Sequence, residues 1–252
     1  MDESGIGENA KPRSCGRQQR PRRTAGSGSL RGMRLRTEQQ QELLGEWQAL
    51  CERLGLAGRA GVGVGTALLQ AWSRWPRRYH DTRHLLACIR HWREWAGHTE
   101  DPDAVALALW FHDAVYWPWA RDNERRSADW ARRFIVQAGL PASRAGELAE
   151  RVDRLVMATL HHDGPLEGDA RWVVDIDLAI LGQAPAVYDG FEAGVRSEYR
   201  WVPARAYAHG RSKVLRGFLA RPRIYATDVF HQRYEQAARA NLERALAALQ
   251  PS

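Results

Sequence analysis

The chain has 252 residues, 44% of them hydrophobic and eleven of them tryptophan, which is enough for one sizeable domain or two small ones. Its formal charge of +7 lies almost wholly in residues 1–36, where nine basic and three acidic side chains give +6 and leave +1 for the other 216 residues. A basic excess confined to a tail argues against a nucleic-acid-binding body. No apolar run approaches the roughly 18 residues of a membrane span. Three scattered cysteines without a CxxC pair are expected to exclude a cysteine zinc site and to fit a reducing, cytoplasmic setting.

Residues 1–36 are rich in Gly, Ser, Arg and Gln. Such a segment buries too little surface to offset its ordering entropy, so a disordered basic tail is expected. It has neither the apolar core of a secretory signal nor the periodic apolar face of a transit peptide. The domain is expected over residues 37–252. Thr37 caps a predicted helix to about Leu54, with Leu43, Leu44, Trp47, Leu50 and Leu54 at helical spacing. Gly55–Gly65 reads as a glycine-rich connector and lacks the GxxxxGK[ST] pattern of a phosphate-cradling loop. A second helix is expected over Thr66–Trp75, halted by Pro76. Asp81 caps a third, which runs to Ala96 with Gly97 beyond it.

Asp101 and Pro102 open the next helix. Ala104–Phe111 is apolar on every side, which predicts a helix at the centre of the core that ends on His112 and Asp113. Further helices are expected from Asp122 to just before Gly139, and from Ser143 to the "HHDGP" at His161–Pro165. "DARWVVDIDLAILG", Asp169–Gly182, reads as a helix, because Gly182 is a good stop and no strand partner lies nearby. Pro185 and Pro203 mark the first turns of two more, and Thr227 or Asp228 caps the last, which reaches Leu249. About nine helices with no convincing strand predict an all-α single domain.

Two ionisable pairs lie in apolar helices: His112–Asp113, and Asp175 with Asp177. Buried and unpaired, such groups cost several kcal/mol. One metal ion accounts for both. His80 and His84 are spaced i, i+4 and share a helix face. Imidazole and carboxylate suit Mn, Mg, Co, Ni, Fe or Zn. The candidate ligands are His80, His84, His112, Asp113, His161, His162, Asp175 and Asp177. Cys88 and His91 share the face of His84 and are expected to pack in the core. Arg196, Arg200, Arg205, Arg211, Lys213 and Arg216 form a basic series expected to be chiefly a solvated face, partly neutralised by Glu192 and Glu198.

The order H…HD…D of His84, His112, Asp113 and Asp177 resembles the HD-domain metal-dependent phosphohydrolase superfamily. "RYHDTRHL", "ALALWFHDAVY", "DNERRSA", "DIDLAILG" and "VLRGFLARPRIYAT" resemble one bacterial family of predicted HD phosphohydrolases, from about residue 37 to 249. "YHDTRHLLAC" is similar to the YHNxxHxxD pattern of cyclic-nucleotide phosphodiesterases, and "IDLAI" to their metal-binding ADL motif. The sequence departs from that pattern at Asp81, at Leu86–Cys88, and at Trp117, where those enzymes carry a further histidine, so a phosphodiesterase identity is not implied.

The resemblance implies an HD-type helical domain whose divalent metal is held by His84, His112, Asp113 and Asp177. It implies His80 as proton donor to the leaving oxygen, and Glu124 or Asp122 as the acid that orients the attacking water. His161 and His162 would complete a second metal site or contact phosphate. The expected reaction is hydrolysis of a phosphate ester, of a nucleotide or small phosphorylated metabolite, by a metal-activated water. His80 near its ordinary pKa would serve as general acid. The alternatives are an HD-fold di-iron oxygenase, which needs second-metal ligands from the His161–His162 region, and a non-enzymatic nucleotide-sensing module. The expected partner is a small phosphorylated substrate, neither membrane nor nucleic acid.

Overall fold

The structure, a computed structural model, describes residues 27–56, 58–160 and 165–249. The chain divides into two units, residues 1–36 and residues 37–252. Among the described residues there are ten α-helices and no strand, so the fold is all-α. In chain order they are α1 (Ser27–Leu54), α2 (Arg59–Trp72), α3 (Thr82–Trp95), α4 (Pro102–Phe111) and α5 (Asn123–Gln137). They continue with α6 (Ala142–Met157), α7 (Ala170–Asp177), α8 (Pro185–Glu198), α9 (Ala204–Ala220) and α10 (Asp228–Ala248). Short 3₁₀ turns follow α3 at Ala96–His98 and α7 at Leu178–Gly182. No helix of the described residues is long and apolar enough to cross a membrane.

Several helix starts follow the expected caps. The Asp81 side chain accepts from Arg83 N at 2.8 Å, and that of Asp101 from Ala104 N at 3.0 Å ahead of Pro102. Thr227 caps α10. Two starts differ. Helix α1 begins at Ser27, ten residues before Thr37, so residues 27–36 of the expected disordered tail are helical; residues 1–26 lie outside the described residues. Leu30, Arg31, Met33, Arg34 and Leu35 are good helix formers, and extending an existing helix avoids a new nucleus. Helix α2 begins at Arg59, inside the expected glycine-rich connector. There Trp47 donates to Gly61 O at 2.7 Å, and a Cβ on Gly65 would stand 2.4 Å from Trp47 Cδ1. The glycines therefore let α1 and α2 close on each other around a buried indole.

Helix α4 is buried from Ala104 to Phe111, as expected of the central helix, and it packs against α3, α5, α6 and α7. Trp47, Trp72 and Trp110 are fully enclosed around it, with the Trp47 and Trp110 rings 5.1 Å apart, edge to face. Because α3, α4 and α7 pack pairwise, the start of α3, the end of α4 and the end of α7 meet at one place.

Candidate metal centre

His84 lies in the first turn of α3, His112 just past the end of α4, and Asp177 on the last residue of α7. His84 Nε2 is 3.3 Å from His112 Nε2 and 3.1 Å from Asp177 Oδ1, and His112 Nε2 is 3.5 Å from the same oxygen. The two imidazoles are buried and Asp177 is half-buried. Cys88, four residues after His84 on α3, also presents its sulfur, and one ligand atom from each of His84, Cys88, His112 and Asp177 lies within 4.8 Å of all the others. The exclusion of a cysteine ligand for want of a CxxC pair therefore does not hold: a His and a Cys at i, i+4 on one helix face bring nitrogen and sulfur together as well.

The donor set fits a metal ion. Ligand bonds of about 2.0–2.1 Å at near-tetrahedral angles separate nitrogen and oxygen donors by about 3.3 Å. Each imidazole has a partner for its other nitrogen, as ligating histidines do. His112 Nδ1 faces Leu109 O at 2.8 Å and His84 Nδ1 faces Tyr79 Oη at 3.0 Å. With Nδ1–H donated in both cases, both Nε2 lone pairs point inward. Burial disfavours a charged His112, but the Asp113 and Asp177 carboxylates beside it prevail and lift its pKa to about 9. Burial likewise opposes ionisation of Asp177, yet His112 and His84 hold it well below the usual carboxylate range. The pocket is thus built to accommodate positive charge.

The other predicted residues divide. Asp113 flanks the group, with Oδ2 3.8 Å from His112 Nε2. Asp175 faces away: it is fully buried and accepts from Ala226 N at 2.8 Å and from Thr227 N and Oγ1 at 2.7 and 2.6 Å. Two residues apart on a helix are about 200° apart around its axis, so only one of Asp175 and Asp177 can enter the centre. Glu124 is half-buried and feels the charges of Asp113, His112 and Asp177; burial, with Asp113 adding to it, raises its carboxyl pKa. Asp122 is exposed at the start of α5 with no side-chain cap bond. Beside it, buried Asn123 fixes the turn, accepting from Trp117 N and donating to Trp117 O. His161 and His162 lie outside the described residues.

His80 does not keep its ordinary pKa. Its Nδ1 is 2.7 Å from Glu198 Oε2, and its ring stacks on Tyr116 at 4.3 Å. Burial works against its charge, but Glu198 and Asp113 outweigh it and raise the pKa. Glu198 ends α8 and is buried. Its Oε1 accepts from the backbone N–H groups of Arg78, Tyr79 and His80 at 2.6, 2.8 and 3.1 Å, and its Oε2 also accepts from Tyr116 Oη at 2.8 Å. Burial pushes its pKa up, but the His80 hydrogen bond and charge and the backbone donors bring it down to about 2. Gly194 permits the approach, since a Cβ there would stand 3.0 Å from Tyr79 Cβ. Arg77 clamps the same segment, donating to the carbonyls of His80, Asp113 and Ala114 at 2.7, 2.7 and 3.0 Å.

A cavity of about 390 Å³ opens beside the group. His84, Cys88 and Asp177 form part of its wall, Ile180, Val187 and Phe191 give it an apolar side, and Arg78 and Arg83 are exposed on its lining. Of the basic series, Arg200, Arg205, Lys213 and Arg216 are exposed, as expected of a solvated face, while Arg211 pairs with Glu192 at 2.5 Å and Arg196 donates to the carbonyls of Tyr199 and Val202. Sequence reasoning missed Cys88, Glu198 and Arg77 as site residues. The i, i+4 spacing from His84 was a usable signal for Cys88. Nothing local marked Glu198, which lies 118 positions after its imidazole. No protein-family description matches the chain, and neither a curated protein nor a solved structure matches it.

Proposed function

We propose that the protein is a metal-dependent phosphohydrolase of the HD type, acting on a phosphate ester of a nucleotide or small phosphorylated metabolite in a reducing, cytoplasmic compartment. The observation that carries this reading is the convergence of His84 Nε2, His112 Nε2 and Asp177 Oδ1 within 3.1–3.5 Å, beside a histidine held by a buried carboxylate. A divalent ion held there supplies Lewis acidity for phosphoryl oxygens and makes water a nucleophile at neutral pH. His84, His112 and Asp177 would hold that ion, and Asp113 would add negative charge at its edge. His80, with Nδ1 fixed by Glu198, keeps a proton on Nε2 for the leaving oxygen. Glu124, half-buried and within the field of Asp113, His112 and Asp177, would orient the attacking water. Arg78 and Arg83 meet phosphate charge from the cavity lining, and the apolar wall at Ile180, Val187 and Phe191 takes the organic part of the ester.

The test is elemental analysis of the purified chain, followed by phosphate release from a panel of mono- and diesters supplied with Mn, Mg, Co, Ni, Fe or Zn. Wild type is expected to retain about one ion per chain and to turn over at least one ester class, and His112→Ala to lose both. A wild-type chain that binds none of these ions sinks the reading.

A further inference from the structure

The cavity beside the metal centre is charged at one end only. His84 and His91 both line it, seven residues apart on one face of α3, so it follows that helix for about 10 Å. Asp177, Arg78 and Arg83 belong to the His84 end: Arg83 precedes His84 and donates to Arg78 O at 2.8 Å. The Arg83 guanidinium is already paired, 2.8 Å from Asp81 Oδ2. That of Arg78 is exposed and has no ion pair or hydrogen bond among the described residues. Past this end the lining carries no Lys, Arg, Asp or Glu. Ala87, Ile180, Val187 and Phe191 make it apolar, with Gln183 and His91 as its polar members. Burial holds the pKa of His91 below its ordinary value against the pull of Glu94, and Glu94 is itself held by Arg233.

We propose that the substrate is a monophosphate ester of an uncharged alcohol: its one phosphate lies at the His84 end, and the part that extends along the cavity carries neither a second phosphate nor a carboxylate. This rests on the phosphohydrolase reading above. Arg78 is the cation left to meet the phosphate. A second anionic group farther along would give up hydration and find no countercharge. Gln183 and the neutral ring of His91 offer hydrogen bonds there, which suit an uncharged polar group at the far end of the alcohol. Nucleoside diphosphates and triphosphates and phosphorylated acids are therefore poor substrates, and the monophosphates of nucleosides or of other uncharged alcohols are good ones.

The test compares matched pairs on the full chain supplied with the metals named above. Phosphate release is measured from phenyl phosphate against 4-carboxyphenyl phosphate, and from adenosine 5′-monophosphate against the 5′-diphosphate. The uncharged member of each pair is expected to be favoured by about tenfold or more in kcat/KM. Calorimetry with phenylphosphonate and 4-carboxyphenylphosphonate, which are not hydrolysed, is expected to show the same preference in Kd. Val187→Lys and Ala87→Lys place a cation on the exposed part of the apolar stretch. Each is expected to bring the carboxylated compounds to within about threefold of the plain ones, with bound metal unchanged. Turnover or binding without discrimination in wild type overturns the proposal and leaves the phosphohydrolase reading intact, as does discrimination that neither lysine variant reduces. Tighter binding of phenylphosphonate with no turnover of any ester overturns the phosphohydrolase reading and supports an uncharged ligand in the cavity. Failure to bind either phosphonate overturns the proposal.

Discussion

Asp175 and Asp177 share one short helix and face different surroundings, so bound metal is expected to tell a substitution at one from a substitution at the other. Asp175 ties the Ala226–Thr227 turn to α7 through three hydrogen bonds. Asp175→Ala leaves those donors unsatisfied and is expected to cost about 2–4 kcal/mol in urea unfolding, with bound metal retained. Asp177→Asn is expected to lose bound metal by elemental analysis, and its metal-free urea midpoint is expected to fall as well, because the folded chain loses the carboxylate that faces His112 and His84. The same bound metal in both variants would refute the assignment of Asp177 alone to the centre.

Glu198 and His80 form the second residue-scale unit, and their pKa shifts have opposite signs. Glu198, held at about 2 against an unfolded value of about 4.3, contributes stability that is present above the unfolded value and lost as pH falls toward 2. His80, raised above its unfolded value of about 6.5, contributes stability that is present below that value and lost as pH rises through the folded one. Glu198→Gln is therefore expected to lower the unfolding free energy most between about pH 4.5 and 6.5, by about 3–5 kcal/mol, with the gap narrowing on either side. If the proposed acid role holds, the variant also loses about 10²–10⁴-fold in turnover, and its alkaline limb moves to lower pH.

At the scale of elements, the helices and most of their ends were legible, because capping and periodicity are local. Asp81, Asp101–Pro102 and Gly182 stand where the chain turns. Helix α2 was misjudged because glycine was weighed only as a helix breaker. Against the Trp47 ring the missing Cβ matters more than propensity. Gly65→Val is accordingly expected to destabilise the fold by about 1–3 kcal/mol despite a side chain with better helix propensity, read as a fall in urea midpoint at unchanged slope. A neutral or stabilising result would mean that α1 and α2 can part without cost.

For the whole molecule, the site was legible where chemistry stood out against an apolar background, as with His112 and Asp177. It was not legible where a partner comes from a distant helix, as Glu198 does for His80, since pattern within one stretch carries no information about docking. The centre draws on α3, α4 and α7, so an ion bound there joins three segments that separate on unfolding. Saturating Zn²⁺ or Co²⁺ is expected to raise the unfolding free energy by about 2.7 kcal/mol at a hundredfold excess over Kd, and to leave His112→Ala unmoved. Equal shifts in both proteins would assign the effect to surface binding.

Helix α2 also bears on how quietly the centre sits. Its "GVGVG" run holds three glycines, each about 1 kcal/mol poorer than alanine in a helix interior, and nothing lies within 4 Å of where a Cβ on Gly63 would be. Yet this helix carries Trp72, whose ring lies 6.0 Å from His84 and 5.4 Å from His112 and whose indole N–H donates to Trp110 O. A glycine-rich helix thus bears one wall of the candidate metal centre. Its amides should exchange with solvent deuterium sooner than those of α4, and Gly63→Ala should slow that exchange and with it the escape of the ion.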